Sequence, residues 1–151
     1  MYLRKMYLEN RLVQPGGITL AGTPINLTKI NTPVYMLSTH DDHIAPWKST
    51  YAATQLYSGP VRFVLSASGH IAGVINPPAA NKYCHWIHAK TPKDPDAWFN
   101  AATRHEGSWW PDWQKWIAKK SGAKVAARTP GDGKLKAIED APGSYAAVRL
   151  G

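Results

Sequence analysis

Two short apolar runs constrain this chain most: Val34-Tyr35-Met36-Leu37-Ser38-Thr39 and Val61-Arg62-Phe63-Val64-Leu65. Both have the length and the β-branched and aromatic content of strands. Between them, Trp47 to Tyr57 reads as a helix. Pro46 stands where a first turn tolerates proline, and Ser58-Gly59-Pro60 breaks the helix. A strand, helix and strand in about thirty residues has the span of a parallel crossover, which places the chain in the α/β class. The first strand runs into His40, Asp41, Asp42 and His43, the second into Ser66-Ala67-Ser68-Gly69-His70. Open α/β sheets bind ligands at the carboxyl ends of their strands, so these two clusters mark the candidate site.

The flanking segments are less regular. Met1 to Leu12 carries an apolar stripe close to helical spacing, stopped by Gln14-Pro15-Gly16-Gly17. A helix under way at Met1 with no cap is what a chain cut from something longer would show. Ile18 to Leu27 reads as irregular or briefly extended. Beyond His70, helices are expected over Asp96 to Arg104 and Asp112 to Lys120, with a polar loop over Arg128 to Lys136. Trp109, Trp113 and Trp116 follow i, i+4, i+7 spacing, which predicts an aromatic helix face packed on the sheet.

The formal charge of +8 implies a weak preference for anionic ligands. The basic residues are not interleaved with aromatics on one face, so a nucleic-acid platform is disfavoured. A single cysteine excludes an intrachain disulfide and fits a reducing compartment. No apolar run approaches the roughly 18 residues of a membrane span. Arg4 and Lys5 are not followed by the apolar stretch of a secretory leader. A cytoplasmic protein without a membrane span is expected.

Asp42 and His70 fit the acid and the histidine of a catalytic triad. In α/β-hydrolases the order along the chain is nucleophile, acid, histidine. The same two residues would also serve as a strand-end turn and a loop histidine. Gly69, with Ala72 and Gly73, leaves room beside the ring for a substrate. His40, Asp41, Asp42 and His43 form a tolerable metal-ligand set, but further ligands at convincing spacing are lacking, so no metal is expected. His43 is expected to orient its loop through a backbone hydrogen bond. His85, His88 and His105 read as structural or surface residues. Cys84 follows the histidine instead of preceding the acid and has no Gly-x-Cys-x-Gly frame, so it reads as a packed thiol.

Several stretches resemble the poly(3-hydroxyalkanoate) synthases. They are Asp42-His43-Ile44-Ala45-Pro46-Trp47, Gly59-Pro60-Val61-Arg62-Phe63-Val64-Leu65 and Ser68-Gly69-His70-Ile71-Ala72-Gly73-Val74-Ile75-Asn76-Pro77-Pro78. Gly107-Ser108-Trp109-Trp110-Pro111-Asp112-Trp113 and Ala141-Pro142-Gly143-Ser144-Tyr145 are similar to the same family. Ile71-Ala72-Gly73-Val74 and the Trp-Trp-Pro segment resemble class I, the short-chain polyhydroxybutyrate type. The resemblance covers essentially the whole chain and implies the C-terminal part of an α/β-hydrolase fold: its last parallel strands and flanking helices. Residues 1–30 would be the end of a cap region and linker, and 31–151 the C-terminal part of the catalytic domain.

The resemblance also implies the chemistry. Such enzymes transfer (R)-3-hydroxyacyl units from coenzyme A to a growing polyester and release the thiol, through a Cys-Asp-His triad. The family's histidine falls on His70. Its acid falls on Asp42 and not Asp41, because Asp42 precedes His-Ile-x-Pro-Trp; His43 and Gly69 support the pair. No cofactor is implied, since coenzyme A belongs to the substrate and leaves. The full-length enzyme would be a homodimer at the polyester granule surface. This chain carries no nucleophile in the family's frame. It is therefore expected to be inactive alone, and to fold poorly as a sheet reduced to two strands. Two alternatives are a fragment of a generic esterase or lipase and a non-catalytic module binding the synthase or the granule.

Overall fold

The computed structural model describes residues 1–149, which fall into two compact units that divide between Lys119 and Lys120. In the first unit Tyr2–Leu8 is a π-helical turn, with the Glu9 N–H donating to the Arg4 carbonyl at 2.9 Å. None of its residues is buried, and of its apolar stripe only Met6 is half-buried. Asn10 then takes a left-handed conformation and a single 3-10 turn, Arg11–Val13, follows. The helix expected over Met1 to Leu12 is thus shorter and wider than α. The predicted breaker holds at Gly17, where a Cβ would lie 2.3 Å from the Arg11 carbonyl oxygen. Strands β1 (Thr19–Leu20) and β2 (Thr23–Pro24) form a small antiparallel hairpin.

Strand β3 is Val34–Thr39, as its composition predicts. Helix α1 covers Trp47–Tyr51 and passes into a 3-10 turn at Ala52–Gln55, so the helix predicted to Tyr57 is shortened. The tightening has a packing reason. In a 3-10 turn, residues i and i+3 eclipse, and Tyr51 and Thr54 are both buried. The Tyr51 hydroxyl also donates to the Pro92 carbonyl at 2.6 Å. Strand β4, Val61–Ser66, runs parallel to β3, with Val34 opposite Val61 and Thr39 opposite Ser66.

The sheet does not stop at two strands. Strand β5 (Cys84–Ile87) pairs antiparallel with β4, helix α2 (Pro95–Ala101) follows, and strand β6 (Thr103–Glu106) pairs antiparallel with β5. The order is β3-β4-β5-β6, which corrects the expectation of a two-strand remnant. It also corrects the helix expected to Arg104. Asp94 caps α2 by accepting from the Asp96 and Ala97 N–H groups, and Ala102 is already extended. Every residue of β6 is exposed, so no apolar alternation announced it; its partner strand imposes it. Helix α3 is Trp110–Ala118, and α4 (Ser144–Ala147) lies in the second unit.

The two faces of the sheet are packed differently. On one, Phe63 and Leu65 meet Trp47 and Tyr51 of α1 and Trp98 of α2, with Met36, Trp86 and Phe99 around them. Phe63 lies edge-on to Trp98 at 4.9 Å and to Tyr51 at 5.0 Å, the arrangement aromatic quadrupoles favour. On the other face α3 is held by a polar contact. The Arg62 guanidinium grips the Asp112 carboxylate with both oxygens engaged, and the Tyr35 hydroxyl donates to the same group at 3.0 Å. Burial pushes Asp112 up, but its bonds to Arg62 and Tyr35 outweigh that and hold it below the usual carboxylate range. Only two of the three predicted tryptophans face the sheet. Trp109 and Trp116 pack on Tyr35, while Trp113 is exposed.

Removing the central ring should be costly. Phe63→Ala is expected to lower unfolding stability by about 3–5 kcal/mol, read as a shift of the urea midpoint with unchanged slope.

Candidate active site

The site grows from the ends of β3 and β4. Beyond the last strand pair, the His40 N–H donates to the Ser66 carbonyl at 2.8 Å and the Asp41 N–H to the Ser68 carbonyl at 3.0 Å. The two loops therefore leave the sheet bonded to one another. Ser68 takes a left-handed conformation, φ 73°, which turns the second chain toward the first. Asp42 and His70 meet across this junction, with His70 Nδ1 2.7 Å from Asp42 Oδ2.

Asp42 is enclosed by donors. Its Oδ1 accepts from the Ile44 and Ala45 N–H groups, both at 2.9 Å, and Oδ2 also accepts from the Thr39 hydroxyl at 3.3 Å. Its side chain is only 7% exposed, against 49% for His70. The Ala45 N–H and the His70 bond, helped by Ile44, hold the carboxyl down at about 2. An ionised carboxylate can only accept, so the His70 Nδ1 carries the hydrogen and donates. The Nε2 lone pair is then free to take a proton from a group outside the pair.

The structure sorts the neighbouring candidates. Asp41 pairs with His40, 2.7 Å from its Nδ1, and the His40 ring lies against Trp86 and Phe99. Asp41 is thereby drawn to a different histidine from Asp42. His43 is exposed, and the bonds that shape its loop go to the Asp42 carboxylate. Gly69 has room: a Cβ there would come no closer than 3.9 Å, to the Asp41 carbonyl oxygen. Gly73 does not. A Cβ there would fall 2.4 Å from Thr39 Cγ2 and 2.5 Å from the Ala67 carbonyl oxygen.

Sequence reasoning counted Gly73 only as room beside the ring, and it passed over Thr39 and the Ile44 and Ala45 amides. The signal for the amides was present, since an Asp two and three residues before open N–H groups forms an Asx-type turn. Cys84 is buried in β5. His85 is buried and bonded through Nδ1 to the Gly107 carbonyl at 3.1 Å, with its ring stacked on His105. Burial holds its pKa below the ordinary histidine value. Among the described residues, no three His, Cys, Asp or Glu side chains gather as a metal set.

Beside the turn that carries His70 lies an open apolar hollow of about 270 Å³, lined by Val74, Ile75, Trp109, Trp110 and Trp113. Ile44, Ile71 and Ile75, which stand on the two loops that carry the pair, are also exposed. The arrangement can accept a proton at one histidine nitrogen, stabilise the resulting imidazolium through an enclosed carboxylate, and offer apolar surface nearby.

No protein-family model matches the chain. Among curated proteins, it is 50% identical over 145 residues to the poly(3-hydroxyalkanoate) polymerase subunit PhaC of Cupriavidus necator, covering 95% of this chain and 25% of that one. It is 48% identical over 148 residues to the subunit of the same name from Rhizobium meliloti, covering 98% of this chain and 24% of that one. It is 40% identical over 144 residues to poly(3-hydroxyalkanoate) polymerase 1 of Ectopseudomonas oleovorans, covering 95% of this chain and 26% of that one. The chain spans about a quarter of the length of the curated relatives it matches.

Two outcomes follow from the geometry. Asp42 is held below its ordinary value of about 3.9, so its contribution to stability is complete above that pH and is lost as pH falls toward about 2. A carbon-detected NMR titration should place its midpoint near about 2, and Asp42→Asn should remove this part of the acid transition. Gly73→Ala should disrupt the His70 turn and lower the melting temperature, whereas Gly69→Ala should leave it nearly unchanged.

Proposed function

We propose that this chain, which corresponds to a C-terminal portion of a poly(3-hydroxyalkanoate) polymerase, supplies the acid and the base of that enzyme's acyl transfer. The observation that carries the reading is the 2.7 Å contact between Asp42 and His70 at the ends of two adjacent parallel strands. The substrate would be an (R)-3-hydroxyacyl-coenzyme A and the acceptor the growing polyester, at the surface of its granule. The parallel pair β3–β4 would form the last parallel strands of an α/β-hydrolase sheet.

The nucleophile is a cysteine thiol from a segment outside these 151 residues, whose one cysteine, Cys84, is buried. His70 Nε2 takes the proton from that thiol, and the thiolate attacks the thioester carbonyl. The tetrahedral intermediate collapses, coenzyme A leaves as its thiol with the proton returned by His70, and the acyl group stays on the cysteine. In the second half the hydroxyl of a 3-hydroxyacyl unit gives its proton to His70 and attacks the acyl-cysteine. The new ester forms and the cysteine recovers its proton. Each time His70 is protonated, Asp42 faces the imidazolium and stabilises it.

Orienting His70 suits Asp42 better than direct activation of the substrate hydroxyl. Both of its oxygens are already engaged by Ile44, Ala45, Thr39 and His70, and its side chain is nearly enclosed. Ile44, Ile71 and Ile75 give the apolar acyl chain a surface beside the reacting atoms.

The test is a graft. The 151-residue chain incubated with 3-hydroxybutyryl-coenzyme A should release no thiol above the blank. Put in place of the matching quarter of the Cupriavidus necator polymerase, it should support release. In that graft His70→Gln and Asp42→Asn should each lower the rate at least about a hundredfold. Turnover by the chain alone, or a graft indifferent to His70→Gln, would sink the reading.

A further inference from the structure

The turn that carries His70 has little interior of its own. Ile71 and Ile75 are exposed, and the bonds within it are local, such as Gly73 N–H to the Gly69 carbonyl at 3.0 Å and Ile75 N–H to the Ile71 carbonyl at 2.9 Å. Two consecutive carbonyls in it are bonded to side chains from elsewhere in the fold. The Gly73 carbonyl accepts from the Ser66 hydroxyl at 2.8 Å and from the Trp109 indole N–H at 3.2 Å. The Val74 carbonyl accepts from the same Trp109 N–H at 3.2 Å and from the Trp110 indole N–H at 3.0 Å.

Consecutive residues seldom aim their side chains at one place, and here the start of α3 makes it possible. Trp109 caps the helix and Trp110 opens it, with their rings at 70° and 6.3 Å apart. The Ser108 hydroxyl holds this corner from both sides. It accepts from the Trp110 N–H at 3.1 Å and donates to the Asn76 carbonyl, at the far end of the same turn. Asn76 is itself buried, with its side chain bonded to the Lys82 backbone. Trp109 also rests on Tyr35 of β3, whose hydroxyl donates to the Asp112 carboxylate of α3. Both indole nitrogens end on backbone carbonyls of the same turn, those of Gly73 and Val74.

We infer that Trp109 and Trp110 are positioning residues for His70: their indole N–H groups pin the Gly73 and Val74 carbonyls and so keep the His70 Nδ1–H on Asp42. The inference rests on the reading of Asp42 and His70 as the catalytic pair. Both indoles act on the backbone of the turn and not on the ring.

The readout is the tautomer of the neutral His70 ring, followed by carbon and nitrogen NMR shifts in the 151-residue chain at a pH where the imidazole is uncharged. The parent should hold the Nδ1–H tautomer. Trp109→Phe with Trp110→Phe keeps two aromatic rings and removes only the donors. It should lower the ratio of Nδ1–H to Nε2–H by about fivefold, the factor equivalent to one net hydrogen bond. Ser66→Ala, which deletes one oxygen and leaves both rings in place, should lower the ratio in the same direction and serves if the double variant does not fold. Asp42→Asn should abolish the preference. If Asp42→Asn abolishes it while the folded tryptophan or serine variants leave the ratio at the parent value, the inference fails and the catalytic reading stands. If Asp42→Asn also leaves the ratio unmoved, both fail.

Discussion

Parallel pairing of β3 with β4 carries everything else in the first unit, because the ladder does not end with the strands. It continues for two more bonds, His40 to Ser66 and Asp41 to Ser68, so the polar loops that follow each strand leave the sheet already in register. Two groups with separate tethers would pay the entropy of ordering both loops before they could meet. Here the strands have done that ordering. A 2.7 Å contact between Asp42 and His70 becomes a consequence of strand register.

The two faces of the sheet support that junction by different means. The α1 and α2 side is a cluster of aromatic rings around Phe63 and Trp98, whose burial is non-directional and sets the rigidity of the strands. The α3 side depends on directional contacts, with the Asp112 carboxylate between Arg62 and Tyr35 and two indole N–H groups on the His70 turn. Directional bonds fix angles that apolar packing leaves free. That difference matters for a histidine that stands half in solvent with few neighbours to hold it.

Much of the first half of this fold was legible in the amino-acid order. The β3 boundaries follow from an apolar run between a proline and a charged cluster, and the α/β class follows from the spacing of the two runs. β5 and β6 were not legible. Cys84-His85-Trp86-Ile87 is too short to show a period, and Thr103-Arg104-His105-Glu106 has no apolar face at all. Both are strands because each finds a neighbour with unsatisfied backbone groups, a condition that no local pattern contains. The tryptophans illustrate the same limit. Their spacing announced a helix with an aromatic face, but Trp113 points to solvent while Trp109 and Trp110 spend their polar edge on the backbone of a distant turn.

By itself the sequence determined which residue types stand after which strands, and through its motifs the kinship with polymerases of 40–50% identity. It could place Asp41 and Asp42 at the same strand end, but the physical choice between them depends on where each side chain points. Successive residues leave a chain in different directions, and only the folded loops decide which carboxylate is enclosed by amide donors and which turns to His40. The same holds for the glycines. In the amino-acid order Gly69 and Gly73 had one role, room beside the ring; Gly69 has that room, while the missing Cβ of Gly73 lets the turn close against Thr39 and Ala67. Close approach is a property of two segments brought together, and the tertiary structure alone brings them there.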